Sequence, residues 1–297
     1  MIEVAAAVIV RADGAFLLAQ RPTGKVYAGY WEFPGGKIEP GERADRALAR
    51  ELHEELGIDL GEAFPWITRV YTYPHGTVRL QFFKIFSWQG EPHPREDQAI
   101  SWQQAGAPLA APMLPANAPI LAALALPTEY AVTGAAHYGV SDQLRRLEQR
   151  LQEGLRLVQV REPDLDASER ERFTKEAIRL AHAYGCKVLT KSAFPGADGI
   201  HFIASELMLL KKRPEGLAAA SCHTRQELER AMELELDFAV LGPVKDKSPA
   251  LGWDRFRQTA AFSSVPVYAI GGLTRADMQD AWRAGAHGVA MIRGAWS

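Results

Sequence analysis

The sequence predicts an α/β protein of two domains, a small mixed α/β domain followed by a compact (β/α)8 barrel. Three observations carry this. The 297 residues are about two domains' worth of chain. The first ~125 residues mix short strands with one strongly patterned helix. From Glu129 onward strand and helix alternate through eight candidate strands.

The composition is 47% hydrophobic and 24% charged with a formal net charge of −2. This balance has no basic footprint and argues against a nucleic-acid polymer as partner. Two cysteines without motif spacing, Cys186 and Cys222, fit a reducing compartment and free buried thiols. The opening "MIEVAAAVIV" carries Glu3 and no basic n-region, so it reads as a strand rather than a signal peptide. No apolar run reaches membrane-spanning length, no membrane partner is expected, and a cytoplasmic location is.

In the first domain "VAAAVIVRADGAFLLAQRP" reads as a hairpin around Asp13-Gly14. "WITRVYTYPHGTVRLQFFKIFSW" reads as a second hairpin around His75-Gly76. A short helix is expected from about Ala116 to Leu126, stopped by Pro127. The domains are therefore set at residues 1–127 and 128–297. The strands of the second are "YAVTG", "LRLVQVR", "CKVLTK", "GIHFIA", "LAAASCH", "DFAVLGP", "VPVYAIGG" and "GVAMIRG". Between the third and fourth, "SAFPG" is too short for a helix, so the barrel lacks or shortens one. A doubly wound open sheet is the structural alternative.

The segment "GGKIEPGERADRALARELHEELGI", Gly35 to Ile58, predicts a helix over 44–56 with Gly57 as its C-cap. At ~100° per residue, Leu48, Leu52 and Leu56 form one buried stripe. Glu51, Glu54 and Glu55, at i, i+3 and i+4, converge on an adjacent face, with Arg46, Arg50 and His53 further round. Three like charges on the border of a core need a cation, and an oxygen-only donor set suits Mg²⁺ or Mn²⁺. Gly35 and Gly36 let backbone approach a ligand closely. Hard cations beside such a loop suit a substrate bearing phosphates.

Gly36, Glu42, Arg50, Glu51, Leu52, Glu54, Glu55, Gly57 and Ile58 fill every fixed position of G-x5-E-x7-R-E-U-x-E-E-x-G-U, U being apolar. The segment thus resembles the Nudix box. The resemblance implies an α/β/α sandwich that hydrolyses nucleoside diphosphates linked to another moiety, using divalent metal. It implies Glu51, Glu54 and Glu55 as ligands, joined by the Gly35 carbonyl. Arg50 orients a glutamate, and Glu42 is either a ligand or a loop brace. The carboxylate that activates water stays open.

"LLAQRP", "WEFPGGKIEPGE", "GEPHPREDQ" and "LPANAPI" further resemble the MutT branch, which cleanses oxidised guanine nucleotides. By that resemblance Glu96 is a further metal ligand, Asn117 reads the oxidised purine edge, and Arg21 and Phe33 lie near phosphate and base. Water attacks the β-phosphorus of a small-molecule nucleotide such as 8-oxo-dGTP, giving monophosphate and pyrophosphate. Read without the resemblance, Asn117 is a turn or helix-cap residue, Phe33 is core and Glu96 is a solvated glutamate.

"YAVTG", "LVQVRE", "ADGIHF", "SCHTRQELERA", "DFAVLGPV" and "VYAIGGLTRADMQDAWRAGAHGVAMI" resemble thiamine phosphate synthase and its relative TenI, a thiazole tautomerase. Strand ends would place Gln159, Arg161, His201, Ser221, His223, Gly242, Gly271 and Gly272 around one barrel mouth. Gly271-Gly272 suits a phosphate on backbone amides. The departures are Arg161-Glu162-Pro163 without the family's lysine, Lys191-Ser192 for an Asn-Asp pair, Glu206 for an aspartate, "VKDKSPALGW" for a threonine-rich loop, and Arg293 for a serine. Together they argue against ordinary synthase activity. The resemblance puts His223 at an acid/base position. Arg293, Lys245 and Lys247 are candidates for an anion such as a thiazole phosphate, either turned over or only bound.

Overall fold

The computed structural model describes residues 1–74, 76–95, 98–105, 107, 109–246 and 249–297. It divides into two units, Met1–Ala125 and Leu126–Ser297.

In the first unit β1 (Ile2–Ile9), β2 (Phe16–Gln20), β3 (Trp31–Glu32) and β4 (Gly35–Lys37) precede α1 (Ala44–Leu56). After it come β5 (Asp59–Leu60), β6 (Ala63–Tyr73), β7 (Gly76–Ile85), β8 (Trp88–Gln89), β9 (Ile100–Gln103) and α2 (Ala118–Leu124). The main sheet runs β4-β1-β7-β6, beside a smaller sheet β3-β2-β9 and a short β5-β8 pair. Period-two alternation along β1 feeds two cores. Ala5 and Ala7 meet Leu48, Leu52 and Leu56 of α1, while Ala6 and Val8 face Ile120 and Ala123 of α2. Helices on both faces make the expected sandwich.

The first hairpin needs correction. Its turn forms, with Arg11 N–H donating to Ala15 O and Gly14 N–H to Arg11 O. Yet β1 and β2 join different sheets and meet through a single bridge, Val10 to Phe16. Both edges of β1 are already taken, by β7 along its whole length and by β4 at Val4 to Ala6. Strand β2 pairs instead with β3 and β9.

The second unit alternates β10 (Glu129–Val132), α3 (Ala135–Tyr138), α4 (Val140–Gln152), β11 (Leu157–Val160), α5 (Ala167–Ala183), β12 (Lys187–Thr190), β13 (Gly199–Phe202), α6 (Ala204–Leu209) and β14 (Leu217–Cys222). It ends with α7 (Arg225–Glu233), β15 (Phe238–Leu241), α8 (Gly252–Ala260), β16 (Val267–Ile270), α9 (Met278–Arg283) and β17 (Gly288–Met291). The strands close into a barrel in sequence order, all neighbours parallel, and no helix joins β12 to β13. Tyr130, Leu157, Leu189, Phe238 and Tyr268 fill its interior. Val158, Val188, Ala239 and Val289 point outward against Leu147, Phe173, Leu228 and Phe256 of the helices. Among the described residues no helix is long and apolar enough to cross a membrane.

Candidate functional site

Helix α1 ends at Gly57, whose φ of 69° is left-handed and whose N–H donates to His53 O. Buried Leu48, Leu52 and Leu56 fix its rotation and turn the glutamate face toward the β4 loop. Gly35 has φ 145°, and a Cβ there would stand 2.1 Å from Ala5 O. A Cβ on Gly36 would stand 2.1 Å from Glu51 Cδ, so the Glu51 carboxylate is seated on that glycine.

Arg50 gathers the carboxylates. Its Nη1 donates to Glu51 Oε1 at 2.8 Å and stands 3.6 Å from Glu54 Oε2. Its Nε and Nη2 reach Glu42 at 3.2 and 3.1 Å, and Nη2 also donates to Lys37 O. These hydrogen bonds hold the Glu42 carboxyl below its ordinary range. Among the described residues no three His, Cys, Asp or Glu side chains form a ready metal cluster. Carboxylates repel without a cation between them, and here one guanidinium nitrogen stands between Glu51 and Glu54. The donors are hard oxygens around a place already taken by a positive group, so they fit Mg²⁺ or Mn²⁺ in kind. Glu55 lies on the same turn of α1, half-buried. Glu96 lies outside the described residues.

On the other face of the sheet Tyr27, Tyr30, Tyr71 and Tyr73 pack with Leu114 and Ala116. Their ring centroids lie 4.5 to 5.6 Å apart in the pairs Tyr71–Tyr73, Tyr27–Tyr30 and Tyr27–Tyr73. Burial, then the nearby Glu32, pushes the Tyr73 hydroxyl up to about 12. Asn117 closes the turn Pro115–Asn117 beside this cluster and is 4% exposed. Its side chain does not cap α2, and Nδ2 reaches the Met113 sulfur, a weak acceptor, at 3.8 Å.

Two expected substrate residues have other engagements. Arg21 binds both Glu32 oxygens at 2.7 Å and donates to Val26 O. Burial raises the Glu32 carboxyl, with the Arg21 charge opposing. Phe33 is core, 4% exposed, with its ring 6.0 Å from Phe16 and 5.9 Å from Phe82. The tyrosines escaped the sequence reading, although Tyr71 and Tyr73, two apart on a strand, were bound to share a face.

At the barrel mouth Gln159 is buried, and its carbonyl accepts from Thr133 N–H. The exposed Arg161 gives its own N–H to Thr133 Oγ1. His201 is inside the barrel rather than on the rim. It bonds Tyr130 Oη and Ser221 Oγ, both at 2.9 Å, and burial drops its pKa to about 3. His223 Nδ1 is 2.7 Å from Gly242 O. A carbonyl only accepts, so Nδ1 carries a proton toward Gly242 O, and Nε2 is the nitrogen left to face outward. Gly271 and Gly272 have φ of 109° and 66°. A Cβ on Gly272 would meet Asp246 Cγ at 2.9 Å. The expected cations Arg293 and Lys245 are paired, Arg293 with Asp246 at 3.4 Å and Lys245 with Asp277, and the two departures Lys191 and Glu206 stand 3.8 Å apart. Lys247 lies outside the described residues.

A family model described as NUDIX domain matches residues 1–124, and one described as thiamine monophosphate synthase matches residues 129–295. The first region is 41% identical over 123 residues to the CTP pyrophosphohydrolase of Escherichia coli (strain K12), spanning 41% of this chain and 90% of that protein. It is 38% identical over 121 residues to the 8-oxo-dGTP diphosphatase of Haemophilus influenzae, spanning 41% and 89%. The second region is 27% identical over 157 residues to the thiamine-phosphate synthase of Caldicellulosiruptor saccharolyticus, spanning 48% and 71%.

Proposed function

The chain belongs to the Nudix family through its first domain and to the thiamine monophosphate synthase family through its second, and on that premise we propose that the first domain is a divalent-metal-dependent pyrophosphohydrolase of nucleoside triphosphates, taking 8-oxo-dGTP to 8-oxo-dGMP and pyrophosphate. The observation that supports this substrate is Asn117: a buried amide that follows Ala116 of the tyrosine cluster, free of capping duty and, among the described residues, held by a weak sulfur contact. An amide offers one acceptor and one donor. The oxidised purine presents N7–H and O6, which pair with both. Unoxidised guanine presents two acceptors there and leaves the amide oxygen unmatched, which costs affinity.

Glu51, Glu54 and Glu55, with the Gly35 carbonyl, would hold Mg²⁺ or Mn²⁺. When bound, the ion neutralises phosphate charge and acidifies a water. The chain's own residues prepare that face. Gly36 seats Glu51, Arg50 fixes its orientation while relieving carboxylate repulsion, and Glu42 braces Arg50. The role in DNA maintenance is indirect, through the nucleotide pool.

A second reading is a thiamine-pathway bifunctional enzyme. It is favoured by the orientation of His223, whose Nδ1 is engaged by Gly242 O and whose Nε2 is left on the rim for a thiazole phosphate-like ligand. The first domain would then cleave a diphosphate of the same chemistry. The deciding experiment is kcat/KM for 8-oxo-dGTP, dGTP and CTP with Mg²⁺ on one preparation, with pyrophosphate assayed. A preference for the oxidised nucleotide of orders of magnitude supports the proposal. Equal rates, or a preference for CTP, overturn the substrate, and no turnover moves the search to thiamine-type diphosphates.

A further inference from the structure

The last turn of α1 carries Glu54 and Glu55, and the carbonyls of such a turn have no partner inside the helix. Here a separate segment takes them. His93 N–H donates to Leu56 O at 3.1 Å and Arg95 N–H to Glu55 O at 3.0 Å. Arg95 Nη1 donates to His53 O at 3.0 Å, and Gln98 Nε2 to Glu55 O at 3.4 Å. One carbonyl, that of Glu55, is gripped by the residues on both sides of positions 96–97.

Gly57 permits this approach. A Cβ there would stand 2.6 Å from His93 Cε1 and 2.8 Å from Arg95 Nε. The Arg95 charge sits at the helix's negative end, where a cation is stabilising. A strap this specific exceeds what a helix end needs, since the left-handed Gly57 already supplies a cap through its own N–H.

We propose that Arg95, helped by Gln98, is a positioning residue of the metal-binding face. By clamping the last turn of α1 it fixes where Glu54 and Glu55 stand and so sets the affinity of the first domain for a divalent cation. This rests on reading the glutamate face as a metal site.

The test is Mn²⁺ binding to the full chain without nucleotide, followed by the electron paramagnetic resonance of the free ion. Arg95→Ala should weaken Mn²⁺ about tenfold, the scale of losing a partner that orients a ligand. Arg95→Lys keeps a donor for His53 O and should recover most of that loss. Gln98→Ala, which removes no charge, should also weaken binding and keeps the test open if Arg95→Ala does not fold. Unchanged affinity in Arg95→Ala would overturn the inference and leave a helix cap. Tighter binding would overturn it too, showing that Arg95 acts only by repelling the cation. A wild-type chain that binds no Mn²⁺ would overturn the metal reading itself, a result distinct from either.

Discussion

Glu51 lies against Gly36 so closely that a Cβ on the glycine would stand 2.1 Å from its Cδ and 2.2 Å from Oε2. Gly36 is not among the glycines with positive φ, so alanine meets no backbone penalty there and acts only by pushing the carboxylate away. Displacing a reacting constellation by about 1 Å costs on the order of 100-fold in rate. Gly36→Ala should therefore lose about 100-fold in kcat/KM while its melting temperature stays close to wild type. Steady-state kinetics with a thermal melt of the same preparation checks this. Undiminished activity would mean that Glu51 need not stand where it does.

Asn117→Ala should separate discrimination from catalysis. The side chain caps no helix and its one described contact is a sulfur at 3.8 Å, so its removal costs little stability. A site that hydrogen-bonds a substrate group rejects the analogue lacking it by large factors. The ratio of kcat/KM for 8-oxo-dGTP over dGTP should fall about 100-fold, with dGTP turnover nearly unchanged. Equal losses on both nucleotides would assign Asn117 to the pocket's shape instead.

What was legible in the sequence was what local periodicity fixes. The three leucines of α1, its left-handed Gly57 and the eight barrel strands each follow from spacing within a few residues. The parting of β1 from β2 was not legible, because it depends on β7 and β4 taking both edges of β1 from far along the chain. The same holds for Phe33. Its motif position says nothing of Phe16 and Phe82, which enclose it. Arg21 and Arg293 read as open cations, but Glu32 and Asp246, brought up by other elements, pair with them. The tyrosine cluster is assembled from residues 27, 30, 71 and 73, so no single window displays it.

Lys84 places a titratable group inside the first domain's core. It is 3% exposed, stands 4.3 Å from the Trp66 ring, and burial lowers its pKa to about 7. The unfolded chain holds that proton up to about 10.5. Between these values the unfolded state binds more protons, so stability rises with pH across that window. Below pH 7 both states are protonated and the folded one carries a buried charge that lies against the Trp66 face. The first domain should gain about 2 kcal/mol between pH 7 and 9. Lys84→Met should abolish that gain. Hydrogen exchange at β6 and β7 amides in the full chain measures it, and an identical pH dependence in both proteins would refute the assignment.

His201 makes the opposite end of the pH scale informative for the barrel. Buried between Tyr130 and Ser221, it has a pKa near 3 against 6.5 when unfolded. Between pH 6.5 and 3 only the unfolded chain takes up the proton. The barrel therefore keeps its full stability above about pH 6.5 and loses it progressively as pH falls toward 3. By pH 5 the loss should be about 2 kcal/mol. His201→Gln keeps polar atoms for the tyrosine and serine but cannot titrate. It should be less stable than wild type at pH 7.5, by about 1 kcal/mol for the imperfect bonds, yet lose less on acidification. The decisive quantity is the difference between the two proteins at pH 7.5 and 5.0, read from hydrogen exchange at the β13 and β14 amides. If it does not narrow, the imidazole is protonated in the folded barrel and Tyr130 and Ser221 do not hold it neutral.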